Sequence, residues 1–147
     1  MAQVRRAKGV WSGDLATGSG TVSAATTTTF KDLEVSWGSR TEEPQGRTSP
    51  EELLAAAHAS CFSMALAARL GRAGSPPQKL EVTASVTFDK VEAGWAVTAT
   101  ELAVKGWVSG CEAERFSELA DDAGKNCPIS QALRGNVRMT VAAELAA

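Results

Sequence analysis

The stretch from Thr48 to Arg72 constrains the fold of this chain more than any other. Ser49 is a good helix N-cap, Pro50 suits the first helical position, and Glu51 and Glu52 fall in the first turn. The spacing Ser49-x-x-Glu52 is that of a capping box, and both carboxylates face the positive end of the helix dipole. From residue 53 to residue 70 the text is apolar nearly all round, and Gly71, Gly74 and Pro76-Pro77 end it. The pattern predicts a helix over 50–72, with Leu54, Ala57, Cys61, Met64, Ala65 and Ala68 on one stripe. A helix that is apolar on every side must be covered by other elements, so it is expected at the buried centre of the fold.

Strand signals surround it. Residues 8–11 and 20–24 read as short extended segments separated by Gly13, Gly18 and Gly20. Residues 30–37 place Leu33, Val35 and Trp37 on one face at period two, as a half-buried strand does. Residues 38–49 form a polar loop. Residues 80–89 and 95–108 alternate and are joined by a turn at Lys90-Val91-Glu92-Ala93-Gly94, which makes a hairpin. Residues 112–126 predict an amphipathic helix with Phe116, Leu119, Ala120 and Ala123 inward. A short helix over 128–133 and a final strand over 136–145 follow. The order is that of an α+β fold, with helices on one face of a mostly antiparallel sheet. A chain of 147 residues fits a single domain spanning 1–147.

Charge excludes some partners. Fifteen basic residues against seventeen acidic ones leave a net charge of −2, which argues against nucleic acid and against an anionic membrane. The basic N-terminal residues run into Gly9-Val10-Trp11-Ser12 without an apolar core, so no secretory signal is read there. The low-charge run over 53–68 reads as too short and too weakly hydrophobic to span a bilayer. The expected location is therefore cytoplasmic.

Three cysteines in such a chain do not make a disulfide framework. Cys61 lies mid-helix among Ala57, Ala59, Ser60 and Ala65, where another element could approach its sulfur. A buried thiol without a nearby cation would have a raised pKa and be inert, so reactivity there requires a positive partner from elsewhere. Cys127 precedes Pro128 and so occupies a helix cap, where free N–H groups favour negative charge. Cys111 has an acidic neighbour and no motif around it. His58 stands three residues before Cys61 on the same helix and is the only histidine of the chain. A Cys–His hydrolase dyad or half of a zinc site is conceivable, but zinc-ligand spacing is missing, and a histidine on a tightly packed helix is more often structural. Arg40, in Trp37-Gly38-Ser39-Arg40-Thr41, could be an ordinary solvated arginine. It gains interest because a thiolate that attacks a peroxide needs a cation to hold it and to stabilise the departing alkoxide. Glu51 could hold that guanidinium through a bidentate pair.

Together these residues resemble the OsmC/Ohr family of organic hydroperoxide reductases. The likeness is carried by Ser49-Pro50-Glu51-Glu52-Leu53, by Ala57-His58-Ala59 with Cys61-Phe62-Ser63-Met64, and by Cys127-Pro128-Ile129-Ser130. Trp11-Ser12-Gly13-Asp14, Gly18-Ser19-Gly20 and the turn Asp89 to Gly94 are similar as well. Arg40 stands in the loop before the helix, as in the OsmC-like branch; Ser49 replaces the commoner asparagine, and both are good caps. The resemblance implies an OsmC-like fold in an intertwined homodimer, with a reactive Cys61, a resolving Cys127, and Arg40 and Glu51 beside them. It implies that Cys61 is oxidised by an organic hydroperoxide to a sulfenic acid, that Cys127 condenses with it, and that an external dithiol reduces the disulfide. No metal or prosthetic group is called for. The alternative is a non-catalytic dimer that binds a small hydrophobic ligand.

Overall fold

The computed structural model describes residues 1–146. The backbone forms two compact units, Met1–Leu53 and Leu54–Ala147. In the first, β1 (Ala7–Ser12), β2 (Ser19–Ala24) and β3 (Leu33–Val35) form an antiparallel sheet in that order. The β1–β2 connection depends on glycine. Gly13 has φ +90°, and a Cβ on Gly20 would stand 2.7 Å from the Trp11 ring. Asp14 closes the turn by accepting from the Thr17 N–H and hydroxyl, and those bonds hold its carboxyl below the ordinary value.

The expected strand over 30–37 is shorter than its alternation suggests. It ends at Val35, and Trp37–Thr41 is a helix, α1, inside what read as strand and polar loop. Ser36 caps it through the Ser39 N–H, and the Ser39 hydroxyl accepts in return from the Ser36 N–H. A serine in the second position of a capping box, with Gly38 inside the helix, hides this element from pattern reading. Arg40 therefore sits in the last turn of a helix rather than in a loop.

Helix α2 (Pro50–Arg72) has the predicted bounds. Ser49 Oγ accepts the Glu52 N–H at 3.1 Å, which is one half of the expected box. Glu52 turns instead to the Thr48 hydroxyl, 2.6 Å away. The buried stripe differs from the expected one. His58, Phe62, Leu66 and Leu70 are fully buried, whereas Ala57 and Ala68 are exposed and Met64 is 68% exposed. Both faces are apolar, so periodicity alone could not tell which one the chain covers. By length and composition this helix could also cross a membrane, which corrects the view that the segment is too short. Its mid-point nonetheless carries a histidine hydrogen-bonded inside the protein, as a core helix does.

In the second unit, β4 (Lys79–Val91) and β5 (Gly94–Trp107) form the predicted hairpin, with a register shift at Thr87/Phe88. The sheet is mixed: β6 (Arg138–Leu145) runs parallel to β5. Parallel neighbours need a long crossover, and α3 (Ala113–Asn126) with α4 (Pro128–Leu133) supplies it. Leu102, Val104 and Val108 of β5 and its end face Phe62, Leu66, Leu70, Phe116, Ala120 and Ala123 across the core. Glycine permits the closest approaches. A Cβ on Gly106 would lie 2.5 Å from the Phe116 ring, and one on Gly124 would lie 2.3 Å from Val141.

Candidate active site

Two constellations hold the residues that the sequence singled out, one in each unit. In the first, Arg40 on α1 meets Glu51 in the first turn of α2. The guanidinium donates from Nη2 to Glu51 Oε1 at 2.6 Å and from Nε to both carboxylate oxygens at 3.2 Å. Glu51 is 7% exposed, so this fork fixes the guanidinium plane far better than a surface ion pair would. The Arg40 carbon Cζ also lies 5.6 Å from the centre of the Trp37 ring, within cation–π range. Trp11, Leu15, Val35, Trp37 and Pro50 line a cavity of about 310 Å³ that Arg40 borders. An apolar wall with one oriented cation suits a molecule with an organic body and a polar, electron-rich end.

In the second unit, Cys61 on α2 is half-buried and Cys127 is fully buried between α3 and α4. Both are free thiols, and Cys61 packs against the core cluster that includes Cys127. Burial pushes the Cys61 thiol up, the Ile129 backbone N–H draws it down, and the neighbouring Cys127 pushes it up again. Cys61 therefore meets the condition foreseen from the sequence: its thiolate needs a cation.

Cys127 caps α4, as Pro128 indicated, and its sulfur accepts the Ser130 N–H at 3.4 Å. The Ser130 hydroxyl lies 3.0 Å from that sulfur and 2.8 Å from His58 Nε2. The other ring nitrogen of His58, Nδ1, is 3.2 Å from the Thr100 hydroxyl on β5. Both nitrogens are thus engaged away from Cys61, which disfavours a Cys61–His58 hydrolase dyad. Ser130 and Thr100 were missed by the sequence reading. Ser130 had a local signal in Cys127-Pro128-Ile129-Ser130, whereas Thr100 is 42 residues from His58 and had none. Cys111 stands apart, its sulfur directed to the Glu112 carbonyl at 3.6 Å. Among the described residues, no group of three or more His, Cys, Asp or Glu side chains could hold a metal ion.

Known proteins share this arrangement of elements. The chain is 40% identical over 129 residues to peroxiredoxin OsmC of Escherichia coli, covering 88% of this chain and 89% of that protein. It is 35% identical over 104 residues to the organic hydroperoxide resistance protein OhrA of Bacillus subtilis, covering 69% and 71% of the two. The crystal structure of OhrB of Bacillus subtilis superposes with a TM-score of 0.74 at 26% identity, over 95% of this chain and 98% of that one. Residues 40–142, which include all four candidate site residues, match the family described as OsmC-like protein. With that match and a relative at 40% identity over most of both chains, this protein belongs to the OsmC-like family.

Proposed function

We propose that this protein is a thiol-dependent peroxidase that reduces organic hydroperoxides, with Cys61 as the attacking thiol and Cys127 as the resolving one. The observation that carries the reading is the pairing of two free thiols, a half-exposed Cys61 packed against the core cluster that holds the buried Cys127, near enough that Cys127 raises the Cys61 thiol. The names of the relatives, a peroxiredoxin and an organic hydroperoxide resistance protein, point to the same chemistry.

The Cys61 thiolate attacks one peroxide oxygen, the O–O bond breaks, and the remaining oxygen leaves as an alkoxide that takes a proton to become the alcohol. Cys61 is then a sulfenic acid. Cys127 displaces its hydroxyl as water and forms a disulfide, which an external dithiol reduces. Arg40, held by Glu51, supports the thiolate and the developing negative charge on the leaving oxygen. Walls of Trp11, Leu15, Val35 and Trp37 accept the organic portion of the peroxide. Hydrogen peroxide, which has no such portion, is the weaker substrate. The working unit is a homodimer in the cytoplasm: α2 leaves Ala57 and Ala68 exposed and Met64 68% exposed, an apolar face suited to a second copy.

The same cavity favours a second reading, a dimer that only binds a small hydrophobic ligand. Peroxide consumption with excess dithiol separates the two. A peroxidase consumes many equivalents of cumene hydroperoxide per chain; a binding protein with incidental thiols stops after about one. Cys61→Ser should abolish consumption. Cys127→Ser should keep one rapid reaction per site and lose sustained turnover, and Cys111→Ser should be nearly silent. Normal cycling by Cys127→Ser would remove it from the resolving role.

A further inference from the structure

Thr100, His58, Ser130 and Cys127 form one unbroken chain of hydrogen bonds, and each of the four residues is fully buried. Their contacts come from three separate elements: β5 gives Thr100, α2 gives His58, and α4 with its cap gives Ser130 and Cys127. Among the described residues no buried side-chain nitrogen or oxygen lacks a partner, so the chain is internally satisfied.

Hydrogen bookkeeping allows the chain two directions, and one of them leads a proton away from the sulfur. A neutral imidazole has one donor and one acceptor nitrogen. If Nδ1–H donates to the Thr100 oxygen, Nε2 must accept, and only the Ser130 hydroxyl is there to donate. The Ser130 oxygen is then free to accept the Cys127 S–H at 3.0 Å. In this arrangement the thiol proton points along a two-step path that ends on a basic nitrogen. A simple core histidine would need only satisfied nitrogens; here the hydroxyl that satisfies Nε2 is also the one that contacts the sulfur.

We propose that His58, acting through Ser130, accepts the proton that Cys127 loses when it attacks the Cys61 sulfenic acid. This rests on the peroxidase reading above. As the S–S bond forms, the Cys127 sulfur supplies the electron pair and its proton passes to Ser130 Oγ. The Ser130 proton moves to His58 Nε2. The S–O bond of Cys61 breaks with its pair on oxygen, and the departing hydroxide takes a proton from solvent at the half-exposed Cys61 and leaves as water. His58 later gives its proton back to solvent, so thiol and sulfenic acid yield one disulfide and one water. Cys127 is oxidised, Cys61 is reduced by the same amount, and no outside oxidant enters the step. Burial holds the imidazole pKa below its ordinary value, so His58 is neutral and able to accept at physiological pH, and it does not retain the proton. Ser130 touches the reacting sulfur; His58 is a positioning residue that acts through it.

Rapid mixing of the reduced full-length protein with one equivalent of cumene hydroperoxide, followed by timed acid quench and mass analysis, resolves sulfenic acid formation from disulfide formation. In Ser130→Ala the first phase should stay within about twofold of the wild type and the second should slow by about tenfold or more, in keeping with loss of general-base assistance. Ser130→Thr, which keeps the hydroxyl, should recover most of the second phase. His58→Gln, which can bond Ser130 but has no proton affinity, should slow the second phase alone and serves independently if Ser130→Ala folds poorly. Unchanged disulfide formation in a folded Ser130→Ala or His58→Gln variant overturns the relay, as does equal slowing of both phases. A wild-type protein that forms no Cys61–Cys127 disulfide overturns the peroxidase reading itself, so the two failures are distinguishable.

Discussion

Charge and burial act in opposite directions on the residues of the site. The raised Cys61 thiol reaches its nucleophilic form only if something positive offsets desolvation, and the role proposed for Arg40, held by Glu51, is to supply that charge. Arg40→Ala should keep the fold and move the pH profile for alkylation of Cys61 upward, with slower oxidation at neutral pH. An unchanged profile would make Arg40 a structural partner of Glu51 and nothing more. His58 allows a second test, because it is the only histidine. Its folded pKa is depressed by burial below 6.5, its ordinary value. Above that pH neither the folded nor the unfolded chain holds the extra proton, and the contribution to stability is complete. As the pH falls below 6.5, the unfolded chain binds a proton that the folded chain refuses, so stability drops until the folded imidazole itself titrates. The slope can reach about 1.4 kcal/mol per pH unit. Urea unfolding of the wild type between pH 7 and pH 5 should show this loss, and His58→Gln should remove the histidine part of it.

Single elements show how much of the fold the sequence discloses. Helices α2 and α4 were readable to the residue because Ser49-Pro50 and Cys127-Pro128 mark their starts, and the hairpin β4–β5 was readable from its alternation. Helix α1 was not, since five residues with a serine-only capping box lie below what a periodic pattern can resolve. The buried stripe of α2 was misassigned for a different reason: a helix apolar on both faces carries no record of which face its own chain will cover. In the candidate site, Cys127 had a local signal in its helix cap, whereas Cys61, Arg40 and Glu51 were singled out together through the family resemblance. The relay could not be named, because Ser130 and Thr100 reach His58 across 72 and 42 residues of chain. Packing between α3 and β6 has a single-residue test. Gly124→Ala would place a methyl group 2.3 Å from Val141 Cγ2, at a buried position where helix and strand have little room to part. Alanine is the better helix former, by about 1 kcal/mol, so propensity alone predicts stabilisation. Overpacking of a buried contact costs about 1–3 kcal/mol and should win. A lower urea midpoint with an unchanged slope is the expected result, and a higher midpoint would show that the helix moves aside freely.

At the scale of the whole molecule, the geometry of α2 bears on assembly. Glu51 and Cys61 are ten residues apart on one helix. That places them about 15 Å apart along the axis and about 80° apart around it, at 3.6 residues per turn. One arginine cannot comfortably grip the first and support the sulfur of the second within the same helix. The exposed apolar face of α2, with Ala57, Met64 and Ala68 around the half-buried Cys61, offers the alternative. If a second copy covers that face, a two-fold axis brings Arg40 and Glu51 of one subunit to Cys61 of the other and forms two composite sites. Complementation tests this. Glu51→Ala and Cys61→Ser homodimers should each have little or no activity. In a refolded mixture, the heterodimer combines an intact Cys61 from one chain with an intact Glu51 from the other at one of its two sites. Heterodimers isolated by two different affinity tags should therefore regain about half of the wild-type activity per dimer, one working site of two. Heterodimers that form and stay inactive would place the whole site within one chain, and a monomer by light scattering would remove the dimer altogether.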